Sequence, residues 1–166
     1  MSGYTVRPAT PEDFVAIRAV ELAAFGGPAE ADLVEALRAS GDLVLELVAL
    51  HGDEVVGHVV FSRLLVRSDD REDVAAVALA PLAVAPAHQR RGVGGLLIAE
   101  AHARIEPRER LSVVLGEPAY YGRFGYAHAR AAGFDSDYQC EALQALAWSD
   151  APSTGRLVYP EPFGAL

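Results

Sequence analysis

The chain has 166 residues and a formal net charge of -9, enough length for one domain with a real core and too little for two, so a single domain over residues 1–166 is expected. Apolar residues make up 51% and charged residues 22%, the balance of an ordinary globular protein. The acidic excess argues against a nucleic-acid surface, which needs a basic face, and no apolar run is long enough to span a membrane.

Tyr4-Thr5-Val6-Arg7 reads as a short opening strand. Thr10-Pro11-Glu12-Asp13 is a helix-start signal: a capping hydroxyl, proline at the first helical position and acids in the first turn. That helix is predicted to reach about Ala24, with Phe14, Ile17, Val20 and Ala24 at helical spacing, and to stop at Gly26-Gly27-Pro28. A second helix spans about Ala29 to Ala39 and ends at Ser40-Gly41. Strands Leu43–Leu50 and Val55–Val66 flank a turn at His51-Gly52-Asp53-Glu54. Ser68–Asp73 is a charged connection into a strand Val74–Val84, in which Pro81 predicts a bulge or break because proline has no N–H for the ladder.

The stretch LAPLAVAPAHQRRGVGGLLI, residues 79–98, carries the functional signal. An apolar strand ends at Val84, and Gln89-Arg90-Arg91-Gly92-Val93-Gly94-Gly95 runs directly into a helix predicted to reach Ile105. A helix start exposes unpaired N–H groups and the positive end of the dipole, and glycine lets main chain close on an anion. The stretch reads as a phosphate or pyrophosphate cradle, with Arg90 and Arg91 either touching phosphate or flanking the loop in solvent. Glu106–Arg110 is a solvated turn and Leu111–Leu115 a compact buried strand. Ala119–Tyr126 reads as a short helix closed by Gly125, and the tail carries strands near Gln139–Ala147 and Arg156–Tyr159. The order is that of a mixed α/β sheet with helices on both faces.

Cys140 is the one cysteine, so no internal disulfide forms; it reads as a buried small apolar residue, and a cytoplasmic location is expected. All 14 basic residues are arginine, which removes Schiff-base and phosphate-loop lysine chemistry. The five histidines, His51, His58, His88, His102 and His128, have no metal-site spacing.

A strand, then Q-x-x-G-x-G opening a helix, then a strand and the segment GEPAYYGRFGY resemble the GNAT superfamily of acyl-CoA-dependent N-acetyltransferases. The form of residues 79–126 is similar to its YhbS-like branch. The resemblance implies a mostly antiparallel central sheet with splayed strands at the cofactor cleft, and acetyl-CoA as cosubstrate with no metal. It implies a primary amine acceptor, small molecule or peptide, reached by direct attack in a ternary complex, and it allows a homodimer. Backbone groups of Leu82, Ala83 and Val84 would pair with the pantetheine arm. Gln89, Arg90, Arg91, Gly92, Val93, Gly94 and Gly95 would hold the pyrophosphate. Tyr121 aligns with the tyrosine beside the cofactor sulfur, a general acid for the departing thiolate; the other reading is a core tyrosine bonded to a carbonyl.

Two departures matter. No asparagine precedes the short helix, where Gly116-Glu117-Pro118 stands instead, and no glutamate lies on Val77–Val84 to act as base. Glu21, Glu117 and Asp135 are the acids considered for that role, each otherwise a solvated charge. A non-catalytic acyl-CoA-binding or sensing module is therefore the alternative function. A dinucleotide fold fits poorly, because its glycine loop opens the first βαβ unit.

Overall fold

The computed structural model describes residues 3–70 and 72–165; Met1, Ser2 and Leu166 lie outside it, as does Arg71 in the predicted connection. The elements are β1 (Tyr4–Pro8), α1 (Phe14–Phe25), α2 (Ala29–Ser40), β2 (Leu43–His51), β3 (Glu54–Arg67) and β4 (Asp73–Val84). They continue with α3 (Val93–Ile105), β5 (Leu111–Leu115), α4 (Pro118–Tyr121), α5 (His128–Ala131), β6 (Phe134–Asp135), β7 (Leu143–Ala147) and β8 (Gly155–Val158).

The sheet order is β1-β2-β3-β4-β5-β7, with β8 joining the far end of β3 and β6. All pairings are antiparallel except β4 with β5 and β6 with β8. Alternation along the strands sorts the core. Leu47, Ala49, Val59 and Phe61 meet Val93, Leu97, Ala101 and Ile105 of α3, which share one face by helical spacing. Val48, Leu50 and Val60 point to the other face and meet Ile17 of α1 with Leu33, Val34 and Leu37 of α2. Gly57 lets α3 sit close to the sheet, since a Cβ there would lie 2.9 Å from the Val93 side chain.

The N-terminal start signal folds as a 3-10 turn, Pro11–Asp13, feeding α1. Thr10 and Asp13 form the reciprocal capping box, and Gly26 and Gly41 end α1 and α2 in the left-handed conformation. Asp13 also takes a two-pronged ion pair from Arg7, at 2.7 and 2.9 Å. Those bonds, with Thr10, hold its carboxyl well down, to about 2, against the cost of burial. Asp13→Ala is therefore expected to lower stability by about 1–2 kcal/mol at neutral pH, read by thermal melting. Because the folded carboxyl is depressed, its contribution is present above the ordinary value of 3.8 and is lost as pH falls toward about 2.

Three expectations change. The tail contains α5 and β6 as well as the two predicted strands; elements of four and two residues are too short to leave a periodicity. Glu109 is not solvated, because its carboxylate receives Arg63 at 2.8 Å beneath the turn. Cys140 is exposed rather than buried, since it lies in the turn that leads into β7.

Candidate active site

The central feature is a strand that loses one neighbour. β4 pairs with β5 at Val77, Ala78 and Leu79, where that ladder ends. β4 then continues to Val84 against β3 alone, through Leu82–Val59, Ala83–His58 and Val84–Gly57. Between these stretches the register shifts, so that Ala80 and Pro81 both fall at Val60, the bulge that proline predicts. The side of Leu82, Ala83 and Val84 turned away from β3 thus faces a cleft of about 620 Å³.

The glycine loop closes one end of that cleft. Its backbone turns through left-handed conformations at Arg90 (φ 64°) and Gly92 (φ 82°). The Gln89 N–H is bonded to the Pro86 carbonyl, and its side-chain amide donates to the Val84 carbonyl at 3.0 Å. Gln89 therefore ties the loop back onto β4. Leu96 N–H makes the first bond of α3, to Gly92 O at 3.0 Å, so the N–H groups of Val93, Gly94 and Gly95 precede the helical ladder. Arg90, His88 and Arg123 line the cleft, and among the described residues no acid does. Arg91 is exposed and is not among the lining residues. His88 Nδ1 is fixed at 2.9 Å from the Tyr4 hydroxyl, and the Arg123 guanidinium lies 4.8 Å from the Tyr120 ring centre.

The glycines are required for space as well as for shape. A Cβ on Gly94 would run into the Tyr120 hydroxyl, and one on Gly95 would come 3.3 Å from the Phe124 ring. Gly94→Val is accordingly expected to fill the cleft floor and to weaken binding of the acetyl-CoA that the family resemblance implies by about tenfold or more, roughly 1.4 kcal/mol, measured by titration calorimetry.

Tyr121 lies in an adjoining cavity of about 470 Å³ that shares Phe25 and Leu82 with the first. Its ring covers Gly116, where a Cβ would be only 2.5 Å away. Burial, helped by the neighbouring Tyr120, pushes the Tyr121 phenol up to about 12, so it carries its proton at neutral pH. Tyr120 packs edge-on to Tyr121, with ring centres 5.0 Å apart, and lines the first cleft. Tyr126 is buried, its hydroxyl 2.7 Å from Ser112 and 3.0 Å from His102. Burial pulls the His102 imidazole down to about 4. Trp148 packs edge-on against that imidazole.

The acids divide. Glu117 lines the second cavity and caps α4, accepting from Ala119 N–H at 3.3 Å. Asp135 is exposed and paired with Arg156 at 3.0 Å. Glu21 is not a solvated charge: it is fully buried on α1 and bonded to His58 Nδ1 at 2.6 Å. His58 Nε2 lies 2.7 Å from Glu46, which Arg38 grips at 2.7 and 3.1 Å. Glu30, half-buried in the first turn of α2, also lines the second cavity; no pattern in the sequence marks it. Among the described residues no His, Cys, Asp and Glu cluster could hold a metal, and no helix is long and apolar enough to cross a membrane.

Comparison with known proteins agrees with this architecture. The family described as "Acetyltransferase (GNAT) domain" matches residues 5–129. YjhQ of Escherichia coli K12, an uncharacterized N-acetyltransferase, is 34% identical over 98% of this chain and 97% of its own length. The crystal structure of the GNAT family N-acetyltransferase YhbS from Escherichia coli in complex with CoA superposes with a TM-score of 0.88 at 32% identity, covering 97% of this chain and 92% of that one. A GNAT family acetyltransferase from Brucella melitensis in complex with acetyl-CoA gives 0.81 at 32% identity, covering 96% and 97%. With its splayed β4–β5 pair, glycine-loop helix start and full-length relatives, the chain belongs to the GNAT acetyltransferase family.

Proposed function

We propose that the protein is an acetyl-CoA-dependent N-acetyltransferase, one domain that passes the acetyl group to a primary amine by direct attack in a ternary complex. One observation carries this reading. A strand edge without a partner and a helix start without a side-chain cap open onto one cleft, and Tyr121 stands in the cavity that continues it. The CoA and acetyl-CoA held by the two structural relatives support the choice of donor. The single exposed thiol, Cys140, suits a reducing compartment such as the cytoplasm.

The residues divide the work. Main-chain groups of Leu82, with the N–H of Val84, take the pantetheine arm as an added strand, while Ala83 between them pairs with His58 of β3. The N–H groups of Val93, Gly94 and Gly95, the helix dipole and Arg90 hold the pyrophosphate, while Gln89 and Gly92 shape the loop. Strand N–H groups polarise the thioester carbonyl, and the bound geometry brings amine and carbonyl together. Tyr121 donates its hydroxyl proton toward the sulfur as negative charge develops there. Glu30 and Glu117, which line the second cavity, take the proton that the ammonium ion must lose, the role left open by the absence of a glutamate on Val77–Val84.

The test is thiol release from acetyl-CoA across a panel of primary amines. Turnover on at least one amine is the expected result. Saturable acetyl-CoA binding with no turnover on any amine would make the protein a binding module. Binding of NAD in place of acetyl-CoA would remove the donor assignment.

A further inference from the structure

The two adjoining cavities have opposite character. Among the described residues, the first carries His88, Arg90 and Arg123 and no acid; the second carries Glu30 and Glu117 and no arginine or histidine. Beyond Tyr121, the second cavity is walled by Tyr138, Tyr159 and Phe163. Tyr138 stands edge-on to Tyr159 with ring centres 5.1 Å apart, and Tyr159 meets Phe163 at 5.2 Å. These contacts hold the three rings as one surface. Apolar residues of the splayed strands, such as Leu79 and Val113, complete the enclosure.

Each feature restricts what fits. A volume of about 470 Å³ admits one small ligand. Carboxylates without a cation attract an ammonium ion and repel a carboxylate or phosphate, which would be desolvated with no partner. Aromatic walls reward an apolar or aromatic body by burial and edge-to-face contact, and they penalise a second or third charge. Resting on the acetyltransferase reading above, we infer that the acceptor is a primary monoamine on an aromatic or apolar body that carries no acidic group. Glu30 and Glu117 hold its ammonium group and take its proton. The amine nitrogen then forms the C–N bond as the C–S bond breaks and its electron pair passes to sulfur. The ammonium form of the amine and acetyl-CoA thus give the amide, free CoA thiol and one proton released to solvent.

The experiment compares phenylethylamine with phenylalanine, which differs by one carboxylate, and with spermidine, using the full chain. It reads thiol release, and separately calorimetric binding of each amine to the CoA-loaded protein. Phenylethylamine is expected to have the highest kcat/KM, by about 10- to 100-fold over phenylalanine, the cost of an unpartnered buried charge-bearing group. The Glu30→Gln/Glu117→Gln double variant is expected to raise KM for phenylethylamine by about tenfold or more while acetyl-CoA affinity holds. Equal or better use of phenylalanine or spermidine overturns the acceptor class and leaves the transferase reading intact. So does failure of phenylethylamine to bind the CoA-loaded protein. Preferential binding of phenylethylamine without turnover supports the acceptor class and counts against the transferase reading. Failure to bind acetyl-CoA overturns both.

Discussion

Tyr121→Phe is expected to lower kcat by about 10²-fold or more, the lower end of what a positioned proton donor contributes, with acetyl-CoA affinity unchanged. The substitution removes one oxygen from a ring that remains packed over Gly116 and beside Tyr120. The phenol, held at about 12 by burial, is fully protonated over the working pH range and always available as a donor. A free thiol titrates near ~8.5, so complete transfer from such a phenol is uphill unless the same apolar surroundings also raise the thiol. The largest part of the effect therefore comes from a hydrogen bond that strengthens as charge builds on sulfur. Tyr120→Phe provides the contrast. Its hydroxyl borders Gly94 in the donor cleft, so its loss is expected to move the KM for acetyl-CoA and leave kcat within about threefold. Steady-state kinetics on the two variants separates the roles; a reversed pattern would assign the proton donor to Tyr120.

The second large effect concerns stability. Glu21→Ala is expected to cost about 3–5 kcal/mol, the range for breaking a buried ion pair by removing one partner, and to lower Tm by roughly 10 °C. His58 is fully buried between Glu21 and Glu46, so losing Glu21 leaves its charge half-compensated. Arg38, stacked 3.6 Å from the centre of the Phe14 ring, extends the network from Glu46 to α2. Burial alone would depress the His58 pKa, but the bonds to Glu21 and Glu46 outweigh it and hold the imidazole above its ordinary 6.5. A raised histidine contributes stability that is complete below pH 6.5 and is lost as pH rises through the folded value. Burial likewise pushes Glu46 up, and its bonds from His58 and Arg38 pull it below 4.5. Its contribution is present above pH 4.5 and is lost as pH falls through the folded value. The Tm gap between wild type and Glu21→Ala should thus be widest between those limits and narrow in alkali. A gap that is small, or constant with pH, would mean that His58 is neutral in the fold.

This network also positions the site. Glu21 lies one helical turn before Ala24 and Phe25, which border the donor cleft, and His58 pairs in register with Ala83 of the open strand edge. The buried charges pin α1 to the part of the sheet that forms the cleft.

The sequence made some of this legible and not the rest, for identifiable reasons. The glycine loop, the Pro81 bulge and the Thr10 capping box are local devices, each written within a few residues. Glu21 reads as a solvated charge from the sequence, although it stands beside Ile17 and Val20 on the buried side of α1. What could not be read was its partner, His58, 37 residues away and brought to it only by the packing of α1 on β3. Glu30 joined Tyr138, Tyr159 and Phe163 in the same way, through the return of the tail to β3. The residues proposed for the donor form local backbone devices and leave a motif; those proposed for the acceptor come together from distant segments and leave none.

Acetyl transfer is tested by mass spectrometry of the products formed from acetyl-CoA carrying a deuterated acetyl group and phenylethylamine or another primary amine. An amide that contains the labelled acetyl group is expected, with one free CoA thiol for each amide formed. Label that remains on CoA, or that is recovered only as acetate from protein that binds acetyl-CoA, would rule out transfer to the amine.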